Sequence, residues 1–244
     1  MGLYFERFVD GLTALPDAGS IWNRTAEFAY DLGFSSCSLT IARKSGSGLQ
    51  STFFMSDLPD EFSKAYRNDG LVGVDPFLQF SCNSLSAKKV ATDDLACFKG
   101  ASAKHQAFLD QAADSGAVAG VGIPVRTTGS EHFGGWLFSS GEKRDVFDLL
   151  DKDHGREAHL AGVLAYERMV SIGFGKLGQR LLSGRERECL LWLCAGLRVS
   201  MIAEKLSISE SAVNLYISNA KHKLGAKTRE QAVARAIFSG EINI

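Results

Sequence analysis

The most informative stretch of the chain is SISESAVNLYISNAKHKLG, residues 207–225. Its apolar residues recur at positions i, i+4, i+7 and i+11, and they are Val213, Ile217, Ala220 and Leu224. This spacing places them in one stripe of an α-helix, so the pattern predicts a helix that packs on a core. Ser209 stands where an N-cap is expected, and Gly225 stands where such a helix stops.

A second face of the same helix is polar. Asn214, Ser218 and Lys221 recur at i, i+4 and i+7, which lines up an amide, a hydroxyl and an ammonium group. A shorter helix over about 200–206 and a tight turn at Ser207–Ser209 precede it. A short helix, a turn and a helix with a hydrogen-bonding face form the geometry that enters a DNA major groove. The spacing alone fits equally well an ordinary helical bundle with one solvated face.

Capping signals and charge indicate a separate C-terminal domain. Ser183 and Glu186 form a capping-box sequence that opens a helix, and Thr228 and Gln231 form a second one that opens the last helix. Residues 174–244 hold 11 Lys and Arg against 6 acidic residues, a net charge of +5, although the whole chain carries −1. The rest of the chain therefore carries −6. A basic domain beside an acidic one favours a polyanion as the partner of the basic domain alone.

Residues 182–234 resemble the LuxR/GerE-type helix-turn-helix. The resemblance rests on many fixed positions of that family, and they include Glu186, Leu190, Gly196, Val213, Ile217, Lys223 and Leu224. It implies a four-helix DNA-binding domain and decides between the two interpretations of the polar face. The residues expected to contact DNA bases or phosphates are Asn214, Ser218, Lys221, Lys223, Lys227 and Arg229.

Three departures from the LuxR/GerE pattern leave the operator sequence open. The family often has Lys-Thr where this chain has Leu197-Arg198. It often has a basic residue at the position of Asn214 and a histidine at the position of Tyr216.

The sequence pattern of the remaining residues predicts an α+β domain. Periodicity indicates helices over 1–15, 19–33, 60–69, 103–115 and about 143–170, and strands over 37–41, 49–55, 118–126 and 132–139. The turn cluster Lys44–Gly48 joins the first two strands into a hairpin. Asp75-Pro76 is a helix-opening pair, because proline suits the first helical position. A mostly antiparallel sheet flanked by helices follows.

This N-terminal region resembles the autoinducer-binding domain of quorum-sensing regulators. The similar stretches run from Pro59 to Pro76 and from Phe108 to Pro124. A phosphorylation receiver domain is rejected, because the first strand ends without the acidic pair that such a domain needs. The resemblance implies that an N-acyl-homoserine lactone binds between sheet and helices, with Tyr66 and Asp75 holding its polar head. A carboxylate accepts an amide N–H, and a phenol donates to a carbonyl.

The predicted ligand site also departs from the family pattern. Phe62 stands where the family has a tryptophan whose N–H holds the lactone carbonyl, so this chain lacks that donor. Val90 stands near a second pocket aromatic of the family, and Leu137 stands near a commonly polar position. Trp136 completes the predicted set of ligand-binding residues. Three alternatives stay open: an acyl-homoserine lactone, a different small molecule, or action without any ligand.

Together these observations predict a transcription regulator and not an enzyme. The expected fold is α+β, with an N-terminal α-β-α sandwich over residues 1–170, a linker at 171–180 and a helix-turn-helix domain at 181–244. The expected partners are double-stranded DNA, a small-molecule autoinducer, a second copy of the chain and RNA polymerase. No metal, cofactor or catalytic residue is expected. No segment resembles a membrane helix or a signal peptide, so a cytoplasmic location is expected.

Overall fold

The structure is a computed structural model, and it describes residues 3–45, 48–68, 70–94, 102–126, 132–142, 154–174 and 181–242. The chain divides into two compact units, with the boundary between Phe174 and Leu181. Among the described residues, no helix is long and apolar enough to cross a membrane.

The N-terminal unit combines helices and strands. Its helices are α1 (Leu3–Leu12), α2 (Ala18–Asp31), α3 (Asp60–Asn68), α4 (Pro76–Ser81), α5 (Ala103–Asp114) and α6 (His154–Ser171). Its strands are β1 (Ser36–Ser45), β2 (Gly48–Ser56), β3 (Lys88–Ala91), β4 (Ala119–Arg126) and β5 (His132–Ser140). A short 3-10 helix covers Leu71–Gly73.

These strands form one sheet in the order β2-β1-β5-β4-β3, and each described pair is antiparallel. Strands β1 and β2 make the predicted hairpin. Alternation along a strand sends successive side chains to opposite faces. Leu39 and Ile41 therefore point to one face, while Ser38 and Thr40 point to the other.

Helices cover both faces of the sheet, which confirms the predicted α-β-α sandwich. On one face, α1, α2 and α6 pack on a core that includes Phe8, Ile21 and Trp136. Helix α6 lies close to the sheet because Gly162 has no side chain there: a Cβ would lie 3.1 Å from Ile123 and Trp136. On the other face lies a smaller cluster built around α3, α4 and α5.

Helix α4 is held directly against the second face of the sheet. The ring of Phe77 lies over Gly122 and Gly135, and a Cβ at either position would overlap that ring. The two glycines thus make room for an aromatic side chain on the sheet surface. Their effect is to fix Asp75, the residue that caps α4, at the edge of the space between sheet and helices.

The C-terminal unit contains four described helices, as predicted. They are α7 (Gly184–Cys194), α8 (Val199–Leu206), α9 (Glu210–Lys223) and α10 (Arg229–Phe238). The capping box of Ser183 and Glu186 is present, and the Ser209 side chain caps α9. Ser207 adopts a left-handed conformation (φ 54°) in the turn between α8 and α9, where it is the C-cap of α8.

The described fold departs from the sequence-based predictions in several details. Strand β3 was not predicted, because four residues with two lysines give no clear period. Phe174, which falls within the predicted linker, packs on Phe53 with ring centroids 4.6 Å apart. In the predicted capping box of the last helix, the Gln231 side chain would accept from the backbone N–H of Thr228. It accepts from the backbone N–H of Lys227 instead. The predicted helix over 143–153 lies outside the described residues.

Candidate ligand cavity and DNA-binding helix

A cavity of about 70 Å³ lies between the second face of the sheet and helices α3, α4 and α5. Most of its lining is apolar, and the aromatic part consists of Phe54, Phe62, Tyr66, Phe77 and Phe108. Its polar lining comes from Asp75, the Tyr66 hydroxyl and a few hydroxyls of the sheet. A mainly apolar space with a few convergent polar groups is typical of a small-molecule site.

Asp75 forms the polar end of this cavity and is itself 7% exposed. Its Oδ1 accepts from the backbone N–H groups of Phe77 (2.9 Å) and Leu78 (3.1 Å), which caps α4. Its Oδ2 accepts from the hydroxyl of Tyr66 at 2.7 Å. Burial raises the pKa of Asp75 above 3.8, and the hydrogen bonds from Tyr66, Leu78 and Phe77 act in the opposite direction.

The aromatic walls stand next to this carboxylate. Tyr66 stacks on Phe54 with ring centroids 4.3 Å apart and an interplanar angle of 16°. Phe62 and Phe108 lie 6.1–6.2 Å from Tyr66 and from each other. Burial also raises the pKa of the Tyr66 phenol, so this hydroxyl stays protonated and able to donate. The Phe62 side chain contributes surface to the cavity and no hydrogen bond.

Hydroxyl groups on β1 and β5 line the cavity and were missed by the sequence analysis. They belong to Ser38, Thr40 and Ser139. The Ser38 hydroxyl shares a hydrogen bond with Ser56 (2.7 Å), and the Ser139 hydroxyl shares one with Ser36 (2.6 Å). The alternation of small polar residues with Cys37, Leu39 and Ile41 was the available signal, because it implies a polar inner face.

Five of the six predicted ligand-binding residues line this one cavity: Phe62, Tyr66, Asp75, Val90 and Leu137. Trp136 does not, and its place in the predicted site is corrected. It precedes Leu137 on β5, so its side chain points to the opposite face, where it is fully buried in the larger core. Its indole N–H has no hydrogen-bond partner among the described residues.

Helix α9 presents the predicted polar face in the C-terminal unit. Val213, Ile217 and Ala220 are buried against the rest of the unit. Asn214 and Ser218 are exposed, and Lys221 is half-buried. Lys227 and Arg229, just beyond the helix, are exposed as well. The face therefore offers an amide, hydroxyls and cations to a partner outside the protein.

Two of the predicted DNA contacts have partners inside the protein. The Lys223 ammonium lies 2.8 Å from Glu186, whose side chain is 4% exposed. Burial alone would raise the pKa of Glu186, but hydrogen bonds from Lys223 and from the Ser183 backbone lower it overall. Arg229 donates from Nη2 to Oδ1, the side-chain amide oxygen of Asn214, at 3.0 Å. Neither pair was foreseen, because the partners are 37 and 15 residues apart in sequence.

Each of the two parts of the chain matches a known protein family. Residues 17–169 match the family described as autoinducer binding domain, and residues 180–236 match bacterial regulatory proteins of the luxR family. The chain therefore belongs to the LuxR family of transcription regulators with an autoinducer-binding domain. It is a DNA-binding regulator with a site for a small molecule.

Individual relatives are distant in sequence but similar over most of their length. The transcriptional activator VanR of Vibrio anguillarum is 27% identical over 200 residues, which cover 79% of this chain and 78% of that protein. A crystal structure of Escherichia coli SdiA has a TM-score of 0.77 at 19% identity, covering 99% and 98% of the two chains. A structure of SdiA in complex with octanoyl-rac-glycerol has a TM-score of 0.72 at 20% identity and covers 99% and 96%.

The burial of Asp75 predicts a pH dependence for the stability of the N-terminal unit. Because its pKa is raised on folding, the stabilisation is complete below 3.8 and is lost as the pH rises through the folded value. The free energy of unfolding of the wild type relative to Asp75→Asn should therefore be highest below pH 3.8 and fall as the pH rises above it. Urea unfolding followed residue by residue by NMR measures this; a difference that is flat or grows with pH contradicts it.

The ion pair of Lys223 predicts the opposite dependence in the C-terminal unit. Lys223→Met should cost about 1–3 kcal/mol at pH 7, because a buried carboxylate loses its charged donor. The pKa of Glu186 is lowered, so this cost should vanish as the pH falls below 4.5 and Glu186 takes up a proton. The same NMR-detected urea titration measures it.

Lys221→Met is the matched control for that variant, since Lys221 lies on the same helix and its change should stay within about 0.5 kcal/mol. Equal effects of the two substitutions would contradict a specific role of the Lys223 pair.

Proposed function

We propose that this regulator binds DNA as a homodimer in the cytoplasm and that an amphiphilic small molecule in the N-terminal cavity controls the binding. The observation that carries the proposal is the buried Tyr66–Asp75 pair at the polar end of an otherwise apolar cavity. Such a site suits a ligand with a hydrogen-bonding head and an apolar tail. Binding that favours the DNA-competent dimer stabilises it by mass action.

The two polar groups can exchange partners when a ligand enters. Without a ligand, the Tyr66 hydroxyl satisfies the Oδ2 atom of Asp75. A ligand N–H or O–H that donates to Oδ2 takes its place, and the Tyr66 hydroxyl then turns to donate to a ligand carbonyl. Asp75 and Tyr66 each keep a partner in both states, so the ligand does not have to compensate for an unpaired carboxylate.

An N-acyl-homoserine lactone is the first candidate ligand. Its amide N–H and acyl carbonyl match Asp75 and Tyr66, and its acyl chain matches the walls formed by Phe54, Phe62 and Phe108. The family resemblance of the whole N-terminal domain supports this candidate.

A ligand without a lactone ring is the second candidate, and Phe62 favours it. Its ring stands where a donor to the lactone carbonyl would be needed, and a carbonyl placed there would lose its hydrogen bond. An acylglycerol has a hydroxyl donor and an ester carbonyl but no ring. The SdiA structure with octanoyl-rac-glycerol provides a precedent in a protein of this fold.

Two further partners complete the proposal. A dimer would place two α9 helices in successive major grooves about one helical turn apart. Helix α6 carries Leu160 and Val163 with 41% and 37% exposure, and contact with a second copy would remove these apolar side chains from water.

RNA polymerase is the partner expected of an activator, the role that the name of VanR states for that relative.

The ligand candidates can be separated by restoring a donor at position 62. Phe62→Trp should tighten binding of N-octanoyl-homoserine lactone about 2- to 10-fold, the effect of one net hydrogen bond of about 0.5–1.5 kcal/mol. Binding of 1-octanoylglycerol should change less than 2-fold. Isothermal titration calorimetry on the full chain measures both affinities.

Phe108→Trp is the control, because it adds the same bulk to another wall of the cavity. Equal tightening in both variants would argue against a specific donor position. If the wild type binds neither compound and neither changes DNA binding, the ligand-controlled function is wrong.

DNA binding itself is tested by its salt dependence. Lys227→Ala should make the slope of log K against log salt shallower by about 0.9 for each phosphate contact that is lost. Lys104→Ala removes an exposed lysine of the N-terminal unit and should leave the slope unchanged. Fluorescence anisotropy with labelled genomic fragments measures the slope, and equal slopes in all three proteins would contradict the assignment of the DNA surface.

A further inference from the structure

The contact between Arg229 and Asn214 determines how the exposed face of α9 can read DNA. Arg229 is the first residue of α10, and its Nη2 donates to Oδ1 of the Asn214 side chain at 3.0 Å. Both residues are exposed, and Asn214 is the first of the three residues on the predicted groove-facing side of α9. The contact therefore joins a cation outside α9 to a polar side chain of the predicted groove-facing side.

A guanidinium has only donors, so it fixes which way the amide faces. The carbonyl oxygen of Asn214 must turn towards Arg229, and the NH₂ group must turn away from it. An asparagine alone on a helix surface can present either orientation. Arg229 thus selects one of the two before any DNA is bound, which lowers the cost of ordering this side chain at the interface.

In this orientation, the Asn214 amide can still accept one more hydrogen bond at its oxygen and can donate from its NH₂ group. A carbonyl oxygen can accept two hydrogen bonds, and Arg229 occupies only one of them. An acceptor beside a donor matches the major-groove edge of adenine, which presents the N6 amino group beside N7. Guanine presents two acceptors, O6 and N7, and would place one of them against the amide oxygen.

We propose that Asn214 reads an adenine in each half-site and that Arg229 is the positioning residue that orients its amide. The inference rests on the proposed function, since it requires α9 to enter the major groove. It also replaces the sequence-based expectation that Arg229 holds a phosphate. A phosphate contact would weaken binding to all sequences alike when removed, whereas an orienting contact changes the preference for one base.

The test is selection from a random-sequence DNA library, applied to the full-length wild type and to variants, followed by sequencing. The wild type should enrich sites with adenine at one position of each half-site. Asn214→Ala should reduce that preference at least 5-fold, and Arg229→Ala should reduce it about 2- to 10-fold at the same position. The double variant should lose no more preference than Asn214→Ala alone, because Arg229 acts through the amide.

Lys227→Ala is the matched control, since it removes an exposed cation near Arg229 without touching Asn214. It should weaken binding and leave the base preference intact. Arg229 and Asn214 are exposed, so their variants should unfold at the wild-type temperature in circular dichroism.

Two results overturn the inference while leaving the proposed function standing. One is that Arg229→Ala weakens all sequences equally and keeps the adenine preference, as the control does. The other is that the position affected by Asn214→Ala prefers guanine. A wild-type chain that enriches no sequence and binds no duplex would overturn the proposed function itself.

Discussion

In the N-terminal domain, the buried carboxylate of Asp75 connects the helices that surround the cavity. One of its oxygens caps α4 through two backbone N–H groups, and the other accepts from Tyr66. Removing a carboxylate from water is costly unless donors replace the lost hydration. The donors here come from the backbone of one helix and the side chain of another, so the same interaction positions both helices around the cavity.

The C-terminal domain contains a buried carboxylate of a different kind. Glu186 caps α7 at Ser183 and pairs with Lys223 at the end of α9. A cation next to Glu186 lowers its pKa, whereas burial without such a pair raises the pKa of Asp75. This contrast fits the two roles. Glu186 keeps its charge and holds the end of α9 through Lys223, while Oδ2 of Asp75 accepts from a neutral donor, which is the contact that we propose a ligand replaces.

Local signals in the sequence were sufficient for much of this architecture. The caps at Ser183 and Ser209 and the apolar stripe of α9 depend on residues within a few positions of each other, so sequence spacing predicts them. Tyr66 and Asp75 were predicted through family resemblance, and both line the cavity. Asp75 also has a capping role that its place before a proline indicated.

Contacts between distant residues could not be predicted in the same way. The two glycines under Phe77, the pair of Glu186 and Lys223 and the pair of Asn214 and Arg229 all depend on how elements pack. Trp136 was misplaced because the phase of a strand decides its face, and its neighbour Leu137 lines the cavity instead. A shift of one residue along the strand moves a side chain from the cavity to the core.

The most direct measurement of the central claim is a crystal structure of the full chain with the octanoyl compound that it binds more tightly. We expect that a ligand N–H or O–H donates to Oδ2 of Asp75 and that the Tyr66 hydroxyl has turned to the ligand carbonyl. The acyl chain should lie among Phe54, Phe62 and Phe108. A ligand bound in the cavity with the Tyr66–Asp75 hydrogen bond unchanged, or bound elsewhere on the domain, would contradict it.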